Sequence, residues 1–263
     1  LEIDKEGRGC NIYNEKCIKV KSFPLSKTKL NIESVVLNDS AKEILIVESK
    51  NNQILILNID NNKIKKKILK FSRKKINFEN STLQQLDGSK FIFANQKNEV
   101  FLLNNKFRTY KKVSKNKKRD GPYSFRTIKS IKVSSKYIAI CDYLNHKIKF
   151  YNKEFKFLFY FGGKGKNINE LDLPNDLDVY NNKFIISDSQ NDRILSLSNK
   201  KNAQVLLKPK FIKNNLRRPV KILSTKNNLY VLDRDNSRIV NYDLNLNYKK
   251  SIKLKEYANG KPN

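Results

Sequence analysis

The chain has 263 residues, 38% of them hydrophobic, with 55 basic and 25 acidic residues giving a formal charge of +30. That length accommodates one large all-β domain or two smaller ones, and no run of 18 or more apolar residues provides a membrane-spanning helix. Trp and Met are absent, so a core must be built from Ile, Leu, Val, Phe and Tyr.

Repeats decide the architecture. From the N-terminus, an apolar strand ending at Asp4 is followed by Cys10-Asn11-Ile12-Tyr13-Asn14. Ile46-Val47-Glu48 leads to Gln53-Ile54, and Phe91-Ile92-Phe93-Ala94 to Glu99-Val100. The pattern is clearest downstream, at Ile140-Cys141-Asp142, Ile186-Ser187-Asp188 and Leu232-Asp233. Each Asp there opens a polar turn holding an Asn, then a Lys or Arg five residues on (Lys147, Arg193, Arg238), then Ile. The key position recurs at 4, 48, 94, 142, 188 and 233, at intervals of 44 to 48 residues. Six copies of such a unit, each with four short strands, predict a six-bladed β-propeller in one domain spanning 1–263. In the fourth full unit the strands are expected at 176–179, 184–187, 194–197 and 203–207.

The units resemble the NHL repeat family. Phe161-Gly162-Gly163-Lys164-Gly165, running to Leu173-Pro174, is similar to the family's opening segment, and the Asp-x-x-Asn-x-Arg turn to its second signature. The likeness is most specific from 128 to 256. It departs at Asp176 and Lys221, which stand where the family often has Gly, and in the eroded first two full blades. The resemblance implies the six-bladed NHL fold, and relatives that bind single-stranded RNA on the loop face.

Pro174 and Pro219 each open an innermost strand 14 residues before the key Asp. The next such signal is Lys261-Pro262-Asn263, whereas residues 1–4 already read as a second strand. The first blade is therefore expected to be incomplete, with three strands. The chain is expected to be a fragment of a longer one whose continuation past Asn263 pairs with residues 1–4.

Candidate chemistry is limited. The only histidine is His146, in a turn, so zinc sites built from several His residues and Ser-His-Asp or Cys-His sets are not formed. No catalytic residue, metal or cofactor is expected. Asn175 and Asp176 are the oxygens nearest to a calcium site, but Val220 and Lys221 at the equivalent place do not complete it. The recurring Asp residues are read as tying down their own turns and pairing with Lys147, Arg193 or Arg238. Gly162-Gly163-Lys164-Gly165 does not meet the phosphate-loop pattern and is read as turn glycines.

The loops carry the better candidates. Turns between second and third strands and connections between blades fall on one propeller face. That face collects Lys117, Lys118, Arg119, Arg126, Lys164, Lys166, Arg193, Arg217, Arg218, Arg234 and Arg238, with Lys115, Lys213, Arg8 and Lys147 nearby. Tyr123, Phe125 and Tyr143 interleave as stacking groups. Cations with aromatics suit a single-stranded polyanion. The partner is then RNA, an anionic lipid or an acidic glycan, bound by a monomeric, non-enzymatic scaffold. Two alternatives stand beside it: a protein-interaction or extracytoplasmic scaffold whose charge is incidental, and a metal-dependent six-bladed hydrolase or lactonase. Compartment turns on the thiols: a Cys10–Cys17 disulfide implies an extracytoplasmic protein, three buried thiols a cytoplasmic one.

Overall fold

The structure, a computed structural model, describes residues 2–3, 9–13, 19–27, 29–38, 42–71, 74–114, 120–198, 203–207, 215–243, 245 and 247–254. The architecture is all-β and of the β-propeller type. The chain divides into two compact units, residues 1–115 and 116–263.

The first unit opens with a three-stranded antiparallel sheet of β1 (Glu2–Ile3), β2 (Gly9–Tyr13) and β3 (Lys19–Pro24). A four-stranded blade follows: β4 (Ile32–Asn38), β5 (Glu43–Glu48), β6 (Gln53–Asn58) and β7 (Ile64–Lys67). A two-stranded hairpin, β8 (Lys70–Phe71) and β9 (Lys74–Lys75), precedes a second blade. That blade is β10 (Thr82–Asp87), β11 (Lys90–Ala94), β12 (Val100–Asn104) and β13 (Thr109–Lys112). The second unit contributes three blades. They are β14 (Ile128–Val133), β15 (Ile138–Asp142), β16 (Lys147–Tyr151) and β17 (Phe157–Gly162); β18 (Pro174–Tyr180), β19 (Lys183–Asp188), β20 (Arg193–Leu197) and β21 (Ala203–Leu207); and β22 (Pro219–Ser224), β23 (Asn228–Asp233), β24 (Arg238–Asp243) and β25 (Tyr248–Lys253).

Among the described residues five blades are complete, and the expected count of six is corrected to five. The shortfall lies at the first repeat. Ile3 pairs with Cys10 as Cys141 pairs with Ile148 and Ser187 with Ile194, so by register β1 is a second strand, and among the described residues its sheet has no strand inside it, as the expected three-stranded first blade requires. Elsewhere the second strands end at Glu48, Ala94, Asp142, Asp188 and Asp233, the positions read from the repeat.

Period-two patterning with both faces buried explains why these strands stack as blades. In β5, Leu45 and Val47 join the cluster with Phe78, Leu83, Phe91 and Phe93 of the next blade. Ile44 and Ile46, on its other face, pack with Cys10, Phe23 and Leu30. In the second unit, Cys141, Ile148 and Phe150 meet Leu177, Phe184 and Ile186, while Ile185 and Ile194 meet Ile222, Val231 and Val240. Each fully buried side chain of this size contributes about 1.5–3 kcal/mol.

Neighbouring innermost strands are also laced by polar groups. Leu83 N–H donates to Ser34 Oγ at 3.2 Å, and Ile222 N–H to Asp176 Oδ2 at 3.1 Å. Ser224 N–H donates to Asp178, whose other oxygen is 3.2 Å from Lys132 Nζ. Tight reversals use left-handed asparagines: Asn181 and Asn182 both have positive φ and join β18 to β19.

Candidate functional site: the loop face of residues 120–254

The three key carboxylates of the second unit are completely buried, and each holds two segments together. Asp188 Oδ1 accepts the Asp172 N–H at 2.7 Å, and Oδ2 accepts Asn191 Nδ2 at 2.8 Å and Arg193 Nε at 2.6 Å. Asp233 repeats this with the Arg217 N–H at 2.7 Å, Asn236 Nδ2 at 2.8 Å and Arg238 Nε at 2.7 Å. Asp142 accepts the Arg126 N–H at 3.0 Å and Asn145 Nδ2 at 2.7 Å. The intervening turn is a single 3-10 turn closed by a left-handed residue: His146, Asp192 or Ser237. Each Asp therefore fastens the incoming inter-blade loop as well as its own turn, which sequence spacing did not reveal.

The cation partner of Asp142 is Lys149, at 2.8 Å, and not Lys147. Lys147 sits across a register pair from Asp142 but turns to Asp120, with its ammonium 4.4 Å from the centre of the Tyr160 ring. Lys149 is only 2% exposed, and its ammonium also donates to the Gly121 and Ser124 carbonyls and faces the Phe125 ring at 5.0 Å. A flexible ammonium two residues further along the strand thus does what the guanidinium does in the next two blades.

These buried cations hold the loops. Arg193 reaches the carbonyls of Lys166, Asn167 and Glu170 at 2.8, 2.8 and 2.9 Å. Arg238 and Asn236 both donate to the Asn215 carbonyl. Arg193, 7% exposed with every arm engaged, is thereby corrected from a ligand-facing group to a clamp, and Arg238 makes the same kind of clamp. Burial pushes the Asp188 carboxyl above its ordinary value, although Asn191, the Asp172 N–H and Arg193 all pull the other way.

Hydrogen bonds join the loops and turns into a continuous surface. Tyr143 N–H donates to Thr127 O, Gly163 N–H to His146 O and Gln190 N–H to Asp172 O. Arg218 N–H donates to Asp192 Oδ1 at 2.7 Å, Asp235 N–H to Arg217 O, and Leu254 N–H to Ser237 O. Gly162 is obligatory: its φ is +99°, and a Cβ there would lie 2.6 Å from the His146 carbonyl. His146 Nδ1 accepts the Leu173 N–H at 3.1 Å and lies 3.1 Å from Asp172 Oδ1.

Of the sequence-derived set, Arg126, Lys164, Lys166, Arg217 and Arg234 are exposed on this surface. Arg218 is partly exposed, with its Nε 3.8 Å from Asp235. The aromatics are less available. Tyr123 packs on Tyr151 and its hydroxyl accepts the Phe157 N–H, Phe125 receives Lys149, and Tyr143 receives Lys129 at 5.4 Å. Lys117, Lys118 and Arg119 lie outside the described residues, as do Asp4, Arg8, Cys17, Lys115 and Lys213. Cys10 and Cys141 are buried free thiols, and burial raises both. Asp176 is committed to Ile222 N–H and lies 3.7 Å from Lys221. Among the described residues no group of three or more His, Cys, Asp or Glu converges as a metal site.

No family model matches the chain, and no curated protein matches it in sequence. Solved structures match in fold. Virginiamycin B lyase from Staphylococcus aureus gives a TM-score of 0.62 at 16% identity, over 88% of this chain and 72% of that one. A catalytically inactive histidine-to-alanine variant of that lyase with quinupristin gives 0.63 at 16%, over 90% and 74%. A chain of the nidogen/laminin complex gives 0.64 at 12%, over 93% and 89%. At these identities the likeness establishes the fold.

Proposed function

We propose that this chain is a non-enzymatic binding scaffold whose loop face, within residues 120–254, holds a polyanionic chain of the single-stranded RNA type. The observation that carries this reading is the pairing of a buried clamp with exposed cations in each blade of the second unit. Lys149 fixes the loop that presents Arg126, Arg193 the loop of Lys164 and Lys166, and Arg238 the loop of Arg217. Clamped loops lose little freedom on binding, which favours affinity for a ligand that matches their spacing. With Tyr123, Phe125 and Tyr143 engaged in packing, recognition runs through phosphates more than through base stacking, and it is sequence-tolerant.

The test is binding of a fluorescent 20-nucleotide oligouridine to the wild type and to R126A/K164A/K166A/R217A/R234A. Strong loss in the variant, with an unchanged melting curve, supports the reading; equal binding rejects it.

A lyase reading draws on the similarity to virginiamycin B lyase. Its check is turnover of quinupristin that disappears in His146→Ala. A protein-partner reading draws on the nidogen/laminin similarity. It predicts complexes that persist at high salt and do not respond to the fivefold variant.

A further inference from the structure

A different surface of the first unit carries charge that the fold does not use. Between Asp60 and Glu79 the chain has eight Lys or Arg and no acid, and between Glu99 and Asp120 eight more with none. Compositional preference for Lys does not by itself clear acids from two such stretches. The fold places parts of both stretches on outermost strands. β7 is the edge of its blade, with Lys65, Lys66 and Lys67 exposed. β13 is the edge of the next blade, with Lys111 exposed on it and Arg108 exposed just before it, and β8 packs against it. Lys112 stands apart, since it pairs with Glu99. Two large apolar side chains sit among these cations, half in water: Ile68 and Tyr110, each 50% exposed.

We infer that this lysine-rich outer edge, carried by β7 and β13, docks on an anionic lipid bilayer, with Ile68 and Tyr110 entering the interface. Charge complementarity selects the partner class. Lysine-dominated clusters attract anionic headgroups without specific geometry, each lysine adding about fivefold in partitioning. Lys65 and Lys67 point to the same side about 7 Å apart along the strand, forming a row on an edge rather than a groove around a chain. Tyr beside cations is the side chain favoured at the headgroup level, and an exposed Ile gains by leaving water there.

The experiment is sedimentation of the full chain with vesicles of phosphatidylcholine alone or with 30% phosphatidylserine, in moderate and high salt. Binding is expected only with phosphatidylserine, and high salt should abolish it. K65A/K66A/K67A should weaken partitioning by about two orders of magnitude, and K106A/R108A/K111A on the β13 side should act alike. I68S/Y110S should lower it about tenfold with the salt dependence kept. Arg217→Ala with Arg218→Ala should leave it unchanged, and soluble glycerophosphoserine should not compete. The inference is overturned by absent binding at low salt, by full binding in both triple variants, or by competition from the soluble headgroup. It is also overturned if the triple variants lose oligouridine binding equally while I68S/Y110S is inert, the behaviour of a nucleic-acid surface.

Discussion

Arg193 donates through Nε to Asp188 Oδ2 at 2.6 Å and sends its other two nitrogens to three carbonyls of the 166–170 loop. This makes the pair a fastening between blade and loop. Removing the guanidinium leaves a buried carboxylate and three carbonyls without their donor. Arg193→Ala should therefore destabilise by about 3–5 kcal/mol. Arg193→Lys should recover only part, because an ammonium cannot span the fork. Urea melts of the three proteins measure both.

The reassignment of the Asp142 partner is separately testable. Lys149 is buried against Asp142 and two carbonyls, whereas Lys147 meets the exposed Asp120. Lys149→Ala should cost about 3–5 kcal/mol and Lys147→Ala under about 1 kcal/mol. Thermal melts in which Lys147→Ala proves the more damaging would reverse the assignment.

Among the described residues the blade of β4–β7 lacks this cation. Glu48 is fully buried, and Oε2 accepts Asn51 N–H, Asn51 Nδ2 and Gln53 Nε2, but Oε1 has no hydrogen-bond partner among the described residues. Gln53 stands five residues after the acid, where Arg193 and Arg238 stand in their blades. Gln53→Arg should supply the missing charge and stabilise by about 0.5–2 kcal/mol, read as a raised midpoint in denaturant. A lowered midpoint would show that this turn does not accommodate the fork.

Glu99 should contribute to acid sensitivity. Burial alone would raise its carboxyl, but hydrogen bonds from Lys112 and Asn95 and the nearby Lys charges hold it below the ordinary 4.5. A depressed folded value means stabilisation that is present above about 4.5 and lost as pH falls through the lower folded value. Glu99→Gln should accordingly flatten the decline of stability on the acid side, by under about 1 kcal/mol because the pair is partly exposed. Asp188 has the opposite sign: its raised folded value makes stability fall as pH rises through that value from the ordinary 3.8. Urea midpoints measured from pH 6 down to pH 3 separate the two.

Much of this architecture is legible in the chain because its signals are local. The Asp-x-x-Asn spacing reports a turn whose Asn returns to the Asp, and Asn191 and Asn236 do so at 2.8 Å. Strand ends at Glu48, Ala94, Asp142, Asp188 and Asp233 follow from the same repeat. What escaped reading is non-local. Each Asp also takes an N–H from 16 residues earlier, across a loop of variable sequence. The swap of Lys147 for Lys149 depends on which of two neighbouring ammoniums turns inward, and only packing against Phe125 and the Gly121 and Ser124 carbonyls decides it. The same logic removed Arg193 from the ligand-facing set, since a cation spacing looks alike whether the charge points to solvent or into a loop. The count of six blades falls to five complete ones among the described residues, and the three-stranded sheet of residues 2–24 is the incomplete first blade that the repeat predicts, because the register match identifies a second strand without supplying a first.

The central claim is that the clamped loop face binds a polyanion through its exposed cations, and the salt dependence of oligouridine affinity tests it most directly. Affinity should fall linearly on a log–log scale between 50 and 200 mM salt, with a slope near 0.7 for each phosphate contacted. Replacing Arg126, Arg217 and Arg218 together with Ala should weaken binding and reduce the slope by about 2. A slope near zero, or a slope and affinity that the triple variant leaves unchanged, contradicts the account.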